Sequence, residues 1–154
     1  MKPGVVTLLA VLGILIASLL VFGCTSADKT GTGPAAGNIE SDIGNLTASE
    51  GTPLQHDYLA VQNLTGNELR KGLEELRSDS AEYYFDFKSL NATTENGRQL
   101  RAEMMTYFSN VNSYAINMIQ YADTKDETYR QEAKPYQAKI NSSLETIRNL
   151  YGEL

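Results

Sequence analysis

The sequence predicts an all-α protein, an antiparallel up-down-up three-helix bundle that follows an N-terminal apolar helix and a flexible linker. Three long stretches repeat apolar residues at alternating spacings of three and four, which is typical of one face of a helix. Capping sequences precede these stretches, and no stretch alternates with the period of a strand. Each helix is predicted to be roughly 25 residues long, or about 37 Å. Because the turns between them are short, neighbouring helices are expected to run antiparallel.

The chain begins with an apolar segment, Val5–Gly23, in which Thr7 and Ser18 are the only hydroxyl-bearing residues. Its length is close to the ~20 residues that cross a hydrocarbon core of ~30 Å. It exceeds the ~7–15 apolar residues of a typical cleaved signal. Lys2 is the only charge before Asp28, so the remainder of the chain is predicted to be exported. We therefore predict that residues 1–23 are a signal peptide or membrane anchor.

The apolar segment ends with Val21-Phe22-Gly23-Cys24. This sequence resembles the lipobox of bacterial and archaeal lipoproteins, with Phe22 bulkier than that pattern usually has. The resemblance implies a lipid on the Cys24 thiol and cleavage just before it. Cys24 is the only cysteine, so an internal disulfide is excluded. The alternatives are an uncleaved signal anchor and, with less support, a pilin-type leader cut after Gly4.

The composition limits the partners and suggests a surface location. The net charge is −6, which argues against binding to nucleic acid. Several N-x-S/T triplets are present, each a candidate N-glycan acceptor on an exported surface. Together they suggest an archaeal cell-surface protein, although they also occur by chance in a chain rich in Asn, Ser and Thr. The acceptors would be Asn45 and Asn91 in predicted loops, Asn63, and Asn141 inside a predicted helix.

Residues 24–51 are rich in Gly, Ser, Thr and Ala, and are predicted to be a flexible linker. A short helix near Ile39–Leu46 is an open alternative. The helical domain is predicted to cover 52–154. It begins with the capping box Thr52-Pro53-Leu54-Gln55, in which Thr52 would be the N-cap and Pro53 would occupy the first helical position. Residues 53–64 would form either a short fourth helix or the first turns of a long one, and a break or kink is favoured near Thr65.

The three long helices are predicted from their apolar stripes and from capping residues between them. The second would start near Thr94, and the third after a capping box at Thr124–Glu127. Pro135 is expected to kink the third helix. The stripes are Leu69, Leu73, Leu76, Ser80, Tyr83, Phe87 and Leu90; Met104, Phe108, Val111, Ala115, Met118 and Ala122; and Tyr129, Ala133, Tyr136, Ile140, Leu144, Ile147, Tyr151 and Leu154.

No residue pattern supports catalysis or a cofactor. His56 is the only histidine, which excludes a ferritin-like di-iron site and a zinc site made from Cys and His. A Ser–His–Asp triad would depend on His56 alone, and no Gly-x-Ser-x-Gly turn is present. We therefore predict a non-enzymatic protein. One helix carries Glu75, Asp79, Glu82 and Asp86, which would form either a weak divalent-cation site or a solvated face.

The stretch Met104–Ala122 carries no charge, yet it contains too many amides and hydroxyls to be a membrane span. On a lone soluble bundle, the outer face would normally carry Lys and Glu. A neutral face rich in Tyr and Asn therefore suggests contact with a partner. The alternative is a neutral solvated face with Tyr at the core boundary. The predicted interaction face is Tyr107, Asn110, Ser113, Tyr114, Asn117 and Tyr121.

These features predict a lipid-anchored helical bundle on the extracellular face of the cell membrane. Its role would be non-enzymatic binding, with the membrane and either a protein partner or a second copy as its contacts. Two alternatives remain open. The bundle could self-associate as a structural or spacer protein, or it could be an extracellular sensor domain that works through a partner. A single-pass signal anchor is the alternative to the lipid.

Overall fold

A computed structural model describes residues 41–152 and 154 of the chain. These residues are helical or connect helices, and no strand occurs among them, so the predicted all-α class is confirmed. The predicted N-terminal apolar helix, Cys24 and the linker up to residue 40 lie outside the described residues. The helices are α1 (Ser41–Leu46), a π-helical segment (Thr47–Gly51), α2 (Thr52–Val61), α3 (Gly66–Ser89), α4 (Glu95–Thr124) and α5 (Glu127–Tyr151).

The first three elements follow one another without a break, so the predicted linker is wrong for residues 41–51. Thr52 has a right-handed helical backbone and is therefore not an N-cap. Ile43 is fully buried. The π-helical segment lies so close to α4 that a Cβ on Gly51 would be 2.6 Å from Met104 Cε. These tertiary contacts explain why a stretch with weak helix propensity is ordered.

The predicted break near Thr65 is confirmed. Helix α2 ends at Val61, and α3 begins at Gly66 after an extended Thr65. Gly66 has φ of 58°, in the left-handed region that favours glycine. In α3, the Gly72 backbone packs against Val61 and Leu64.

Side chains define the other two connections. Thr94 caps α4 as predicted, accepting a hydrogen bond from Gly97 N at 3.1 Å. Arg101 Nε donates to the Phe87 carbonyl at 2.7 Å and so closes the end of α3. The N-cap of α5 is Asp126 rather than Thr124, because Asp126 Oδ1 accepts from Thr128 N at 2.9 Å. Helix α5 continues through Pro135.

The predicted stripes form one core. Leu73 and Phe87 of α3, Met104 and Phe108 of α4 and Ile140 of α5 are fully buried together. Helix α4 packs most extensively, against both α3 and α5. Its apolar arc is correspondingly wide, as expected for a helix with several neighbours.

None of the helices between residues 41 and 154 has an apolar stretch that could cross a membrane.

Candidate functional site: an uncharged groove between α3 and α4

The predicted interaction face is not one accessible surface. Tyr107 is fully buried and Tyr114 is only 7% exposed, while Asn110 is 9% exposed. Ser113, Asn117 and Tyr121 are half-buried. The reason is that α2 covers this side of α4, with the Tyr58 and Tyr114 ring centroids 5.3 Å apart. The tyrosine row therefore belongs mainly to the core.

The accessible part of the uncharged stretch lies beside α3 instead. Two adjoining grooves of about 200 and 390 Å³ share Tyr84 and Ser109. We call them together the α3–α4 groove. No charged side chain lines it. Its residues are Ser80, Ala81, Tyr84, Phe85, Ala102, Met105, Thr106, Ser109, Asn110, Asn112 and Ser113.

Two large apolar side chains protrude at this surface. Phe85 is 63% exposed, and Ile116, on the same side of α4 as Asn112 and Ser113, is 43% exposed. The Phe85 ring makes an edge contact with Tyr84 at a centroid distance of 5.6 Å. Lys88 Nζ lies 5.8 Å from the Phe85 centroid, close enough for a cation–π contact. These neighbours hold Phe85 at the surface without burying it.

The polar groups of the groove are largely occupied by the protein itself. Asn112 Nδ2 donates to the Arg77 carbonyl at 2.8 Å and so ties α4 to α3. Ser113 Oγ donates to the Ser109 carbonyl at 2.9 Å. The groove is open and shallow, whereas sites for small molecules are usually enclosed clefts of ~300–1,000 Å³. Its chemistry therefore favours contact with an apolar or aromatic surface.

The predicted carboxylate stripe of α3 faces α2 and the π-helical segment. Burial, with the nearby Asp86 and Glu82 carboxylates, raises the pKa of Glu50 from its ordinary value of 4.5 to about 7. Burial also raises the pKa of Asp79, and Asp57, Glu82 and Glu75 add to the effect. Within the described part of the chain, no group of three or more His, Cys, Asp or Glu side chains could hold a metal ion.

The candidate glycosylation sites have different surroundings. Asn45 lies in α1 rather than in the predicted loop. The hydroxyl of its partner Thr47 is buried and donates to the Ile43 carbonyl at 2.7 Å. Asn63 and Asn91 are exposed in the connections before α3 and before α4, whereas Asn141 is exposed within α5. Asn63 and Asn91 are therefore the more accessible acceptors. His56 is exposed on α2, and it belongs to no metal-binding group of His, Cys, Asp or Glu side chains among the described residues.

Phe85 and Ile116 were not among the predicted site residues. The available signal was that each is a large apolar residue away from the stripe of its own helix, on a face that is otherwise polar.

Comparisons of the chain with known protein families, with curated proteins and with solved structures found no match. We therefore infer the function from the chemistry of the α3–α4 groove.

Proposed function

We propose that this protein is an exported, lipid-anchored helical bundle that acts as a non-enzymatic binding module on the outer face of the cell membrane. The observation that carries the proposal is the exposure of Phe85 and Ile116 beside an uncharged groove on an acidic protein. Exposed apolar groups that cluster on a soluble domain mark interaction sites. Aromatic and Met side chains with few charges are typical of the centre of an interface.

An antiparallel arrangement of the helices is part of this proposal. Arg70, early in α3, pairs with Asp123, late in α4, at 2.7 Å. At the other end, Arg101 bonds to the Phe87 carbonyl. The start of α3 thus contacts the end of α4, and the end of α3 contacts the start of α4, which supports an antiparallel pair of helices. Helices α1 and α2 would add a fourth layer to the predicted three-helix bundle. The groove would then lie along the outer side of α3 and α4.

The partner that best fits the groove is a protein surface with an apolar or aromatic side chain at its centre. The groove has no charge to recognise an ionic ligand, and its amides and hydroxyls bond mainly to the backbone. Self-association is the second candidate. It is favoured by the position of the protruding Phe85 next to a groove on the same face, since a two-fold axis pairs a surface with itself. The role of an extracellular sensor that works through a partner remains a prediction. Such a sensor would use the same surface.

A photo-crosslinking amino acid placed at Phe85 in the full-length protein tests the groove. In native membranes we expect it to form a discrete adduct. The additional substitution Ile116→Asp should reduce that adduct at least about tenfold, because burying an isoleucine contributes about 1.5–3 kcal/mol and 1.4 kcal/mol is a factor of ten. The measurement is the mass and yield of the adduct.

The matched control carries the same crosslinker at Gln131, an exposed position of α5. Equal adducts at positions 85 and 131, or a yield that Ile116→Asp leaves unchanged, would contradict the binding surface. An adduct of twice the chain mass identifies self-association, whereas a different mass identifies a separate partner.

The intact mass of the protein extracted from its own membranes tests the anchor. We expect a chain that begins at Cys24 and carries lipid. Glycans, where present, should map to Asn63 and Asn91 rather than to Asn45. A mass that retains Met1 without lipid would contradict lipidation and would establish an uncleaved signal anchor. This outcome would leave the groove proposal intact, because the two measurements are independent.

A further inference from the structure

The contact between α2 and the rest of the domain contains a concentration of unsatisfied polar atoms. Across residues 41–152, the buried side-chain oxygens without a hydrogen-bond partner are Glu50 Oε2, Gln55 Oε1, Tyr58 Oη and Tyr107 Oη. Three of them belong to the π-helical segment and α2, and Tyr107 faces Tyr58 from α4. Tyr58 Oη also lies near Gln137 but makes no hydrogen bond of normal geometry. Buried polar groups without partners weaken an interface.

Like charges meet along the same contact. Glu50 faces Asp86 and Glu82 of α3. About two turns further along, in α2, Asp57 faces Asp79. The charges that act on Glu50 are thus carboxylates, and Tyr83 is the other titratable group beside it.

The contacts of the residue that follows Glu50 are apolar. Next to Glu50, Gly51 packs on the apolar Met104 of α4 and on Leu154 at the end of the chain. The basic residues at the start of α3, Arg70 and Lys71, are paired with Glu74, Asp123 and Glu75. Ionisation of Glu50 therefore adds repulsion from Asp86 and Glu82, and no basic side chain among the described residues lowers the pKa of Glu50.

Apolar contacts oppose this repulsion. Ile43, Leu54, Tyr58 and Val61 are at most 3% exposed and bury one side of the segment 41–61. Tyr151 Oη donates to the Gly44 carbonyl at 3.0 Å, which joins the end of α5 to α1. The segment is thus held by apolar packing, by the Tyr151–Gly44 hydrogen bond and, while Glu50 is protonated, by its side-chain contact with Asp86. A row of like charges and unpaired oxygens opposes these contacts.

We propose that residues 41–61 form a latch, which docks on α3, α4 and α5 while Glu50 is protonated and loosens when Glu50 ionises. This inference goes beyond the proposed binding function and does not depend on the groove. It assigns a response to external pH to residues 41–61, which include the last part of the predicted linker. A released latch would expose the core positions of α3 and α4 that α2 covers.

The direction of the effect follows from the pKa of Glu50. Below about pH 4.5, Glu50 is protonated in both the docked and the released latch, so docking is unaffected by this group. Between pH 4.5 and about 7, the released form loses the proton while the docked form retains it, and docking weakens as the pH rises. Above about 7 both forms are ionised, and docking stays at its weakest.

Hydrogen exchange of the full-length protein in detergent micelles, followed by mass spectrometry, tests the latch. After correction for the intrinsic pH dependence of exchange, amides of α2 should open at least about tenfold more often at pH 8 than at pH 5. The full shift of the Glu50 pKa, from 4.5 to about 7, would correspond to a roughly 300-fold change in the opening of α2. Solvent around the half-buried Glu50 reduces this change. Amides of α3, α4 and α5 should change much less.

Glu50→Gln should remove most of the pH dependence in α2 by keeping the side chain neutral at every pH. Asp42→Asn is the matched control, since it removes one carboxylate from the exposed side of the same segment and should leave the dependence intact. The proposal is overturned if Glu50→Gln behaves like the unmodified protein. It is also overturned if α2 is as protected as α4 at pH 8, or if all helices respond to pH equally.

Discussion

Replacing Phe108 by alanine is expected to lower the free energy of unfolding by about 3–5 kcal/mol. Phe108 is fully buried, and its ring contacts Phe87 at a centroid distance of 5.2 Å and Tyr83 at 5.8 Å. Alanine would leave a cavity between α3 and α4. The free energy of unfolding of a native domain is about 5–15 kcal/mol in total, so the variant should lose a large share of its stability. Urea denaturation followed by circular dichroism measures the change.

Phe85→Ala is the control, because it removes the same side chain from the surface. Phe85 is 63% exposed, so its loss should change the stability by no more than about 0.5 kcal/mol. If both variants lose a similar amount of stability, Phe85 is a structural residue, and the argument for a binding surface fails. If only Phe108→Ala is destabilised, then a contribution to stability does not explain why a large apolar ring is exposed at position 85.

The sequence alone was sufficient for the helical class and for most of the core. Spacings of three and four identified Leu73, Leu76 and Phe87 in α3, and Met104 and Phe108 in α4, all of which are buried. This works because a helix that packs on its neighbours must place its apolar residues on one side. The breaks were also predictable, since Thr65-Gly66 and Thr94 are local signals that need no tertiary information.

The helix over 41–51 could not be predicted in the same way. Gly44, Thr47 and Gly51 are poor helix formers, and aliphatic residues are sparse there. What orders the segment is contact with residues far along the chain, such as Tyr151, which bonds to the Gly44 carbonyl, and Met104, which lies against Gly51. Such contacts become visible only when the helices have been placed in space.

The candidate site was predicted on the right helix but on the wrong side of it. Tyr107 and Tyr114 are seven residues apart and lie beside the α4 stripe. Whether residues at such positions are buried or only partly covered depends on how many helices pack against α4. In the predicted three-helix bundle this helix has two neighbours, and the tyrosines could remain accessible, whereas packing of α2 against α4 buries them. Since tyrosine has both an apolar ring and a hydroxyl, its presence does not distinguish an interface from a core.

The burial of Tyr107 leads to a second large expected effect. Its hydroxyl is buried without a hydrogen-bond partner among the described residues. Burial, with smaller contributions from the nearby Tyr58 and Asp57, raises the pKa of the phenol well above its usual range, so the group stays neutral. Because an unsatisfied buried polar group costs about 1–3 kcal/mol, Tyr107→Phe is expected to stabilise the domain by up to that amount. The midpoint of urea unfolding should rise accordingly.

Tyr151→Phe provides the comparison of opposite sign. The same atom is removed, but Tyr151 Oη donates to the Gly44 carbonyl at 3.0 Å, so its loss should destabilise the domain by about 0.5–1.5 kcal/mol. Because the two substitutions are chemically identical, the difference between them isolates the hydrogen bond. A loss of stability in Tyr107→Phe would mean that its hydroxyl is hydrogen-bonded in the folded protein. In that case the Tyr107 hydroxyl would not weaken the contact between α2 and α4. Release of residues 41–61 would then depend on the ionisation of Glu50 alone.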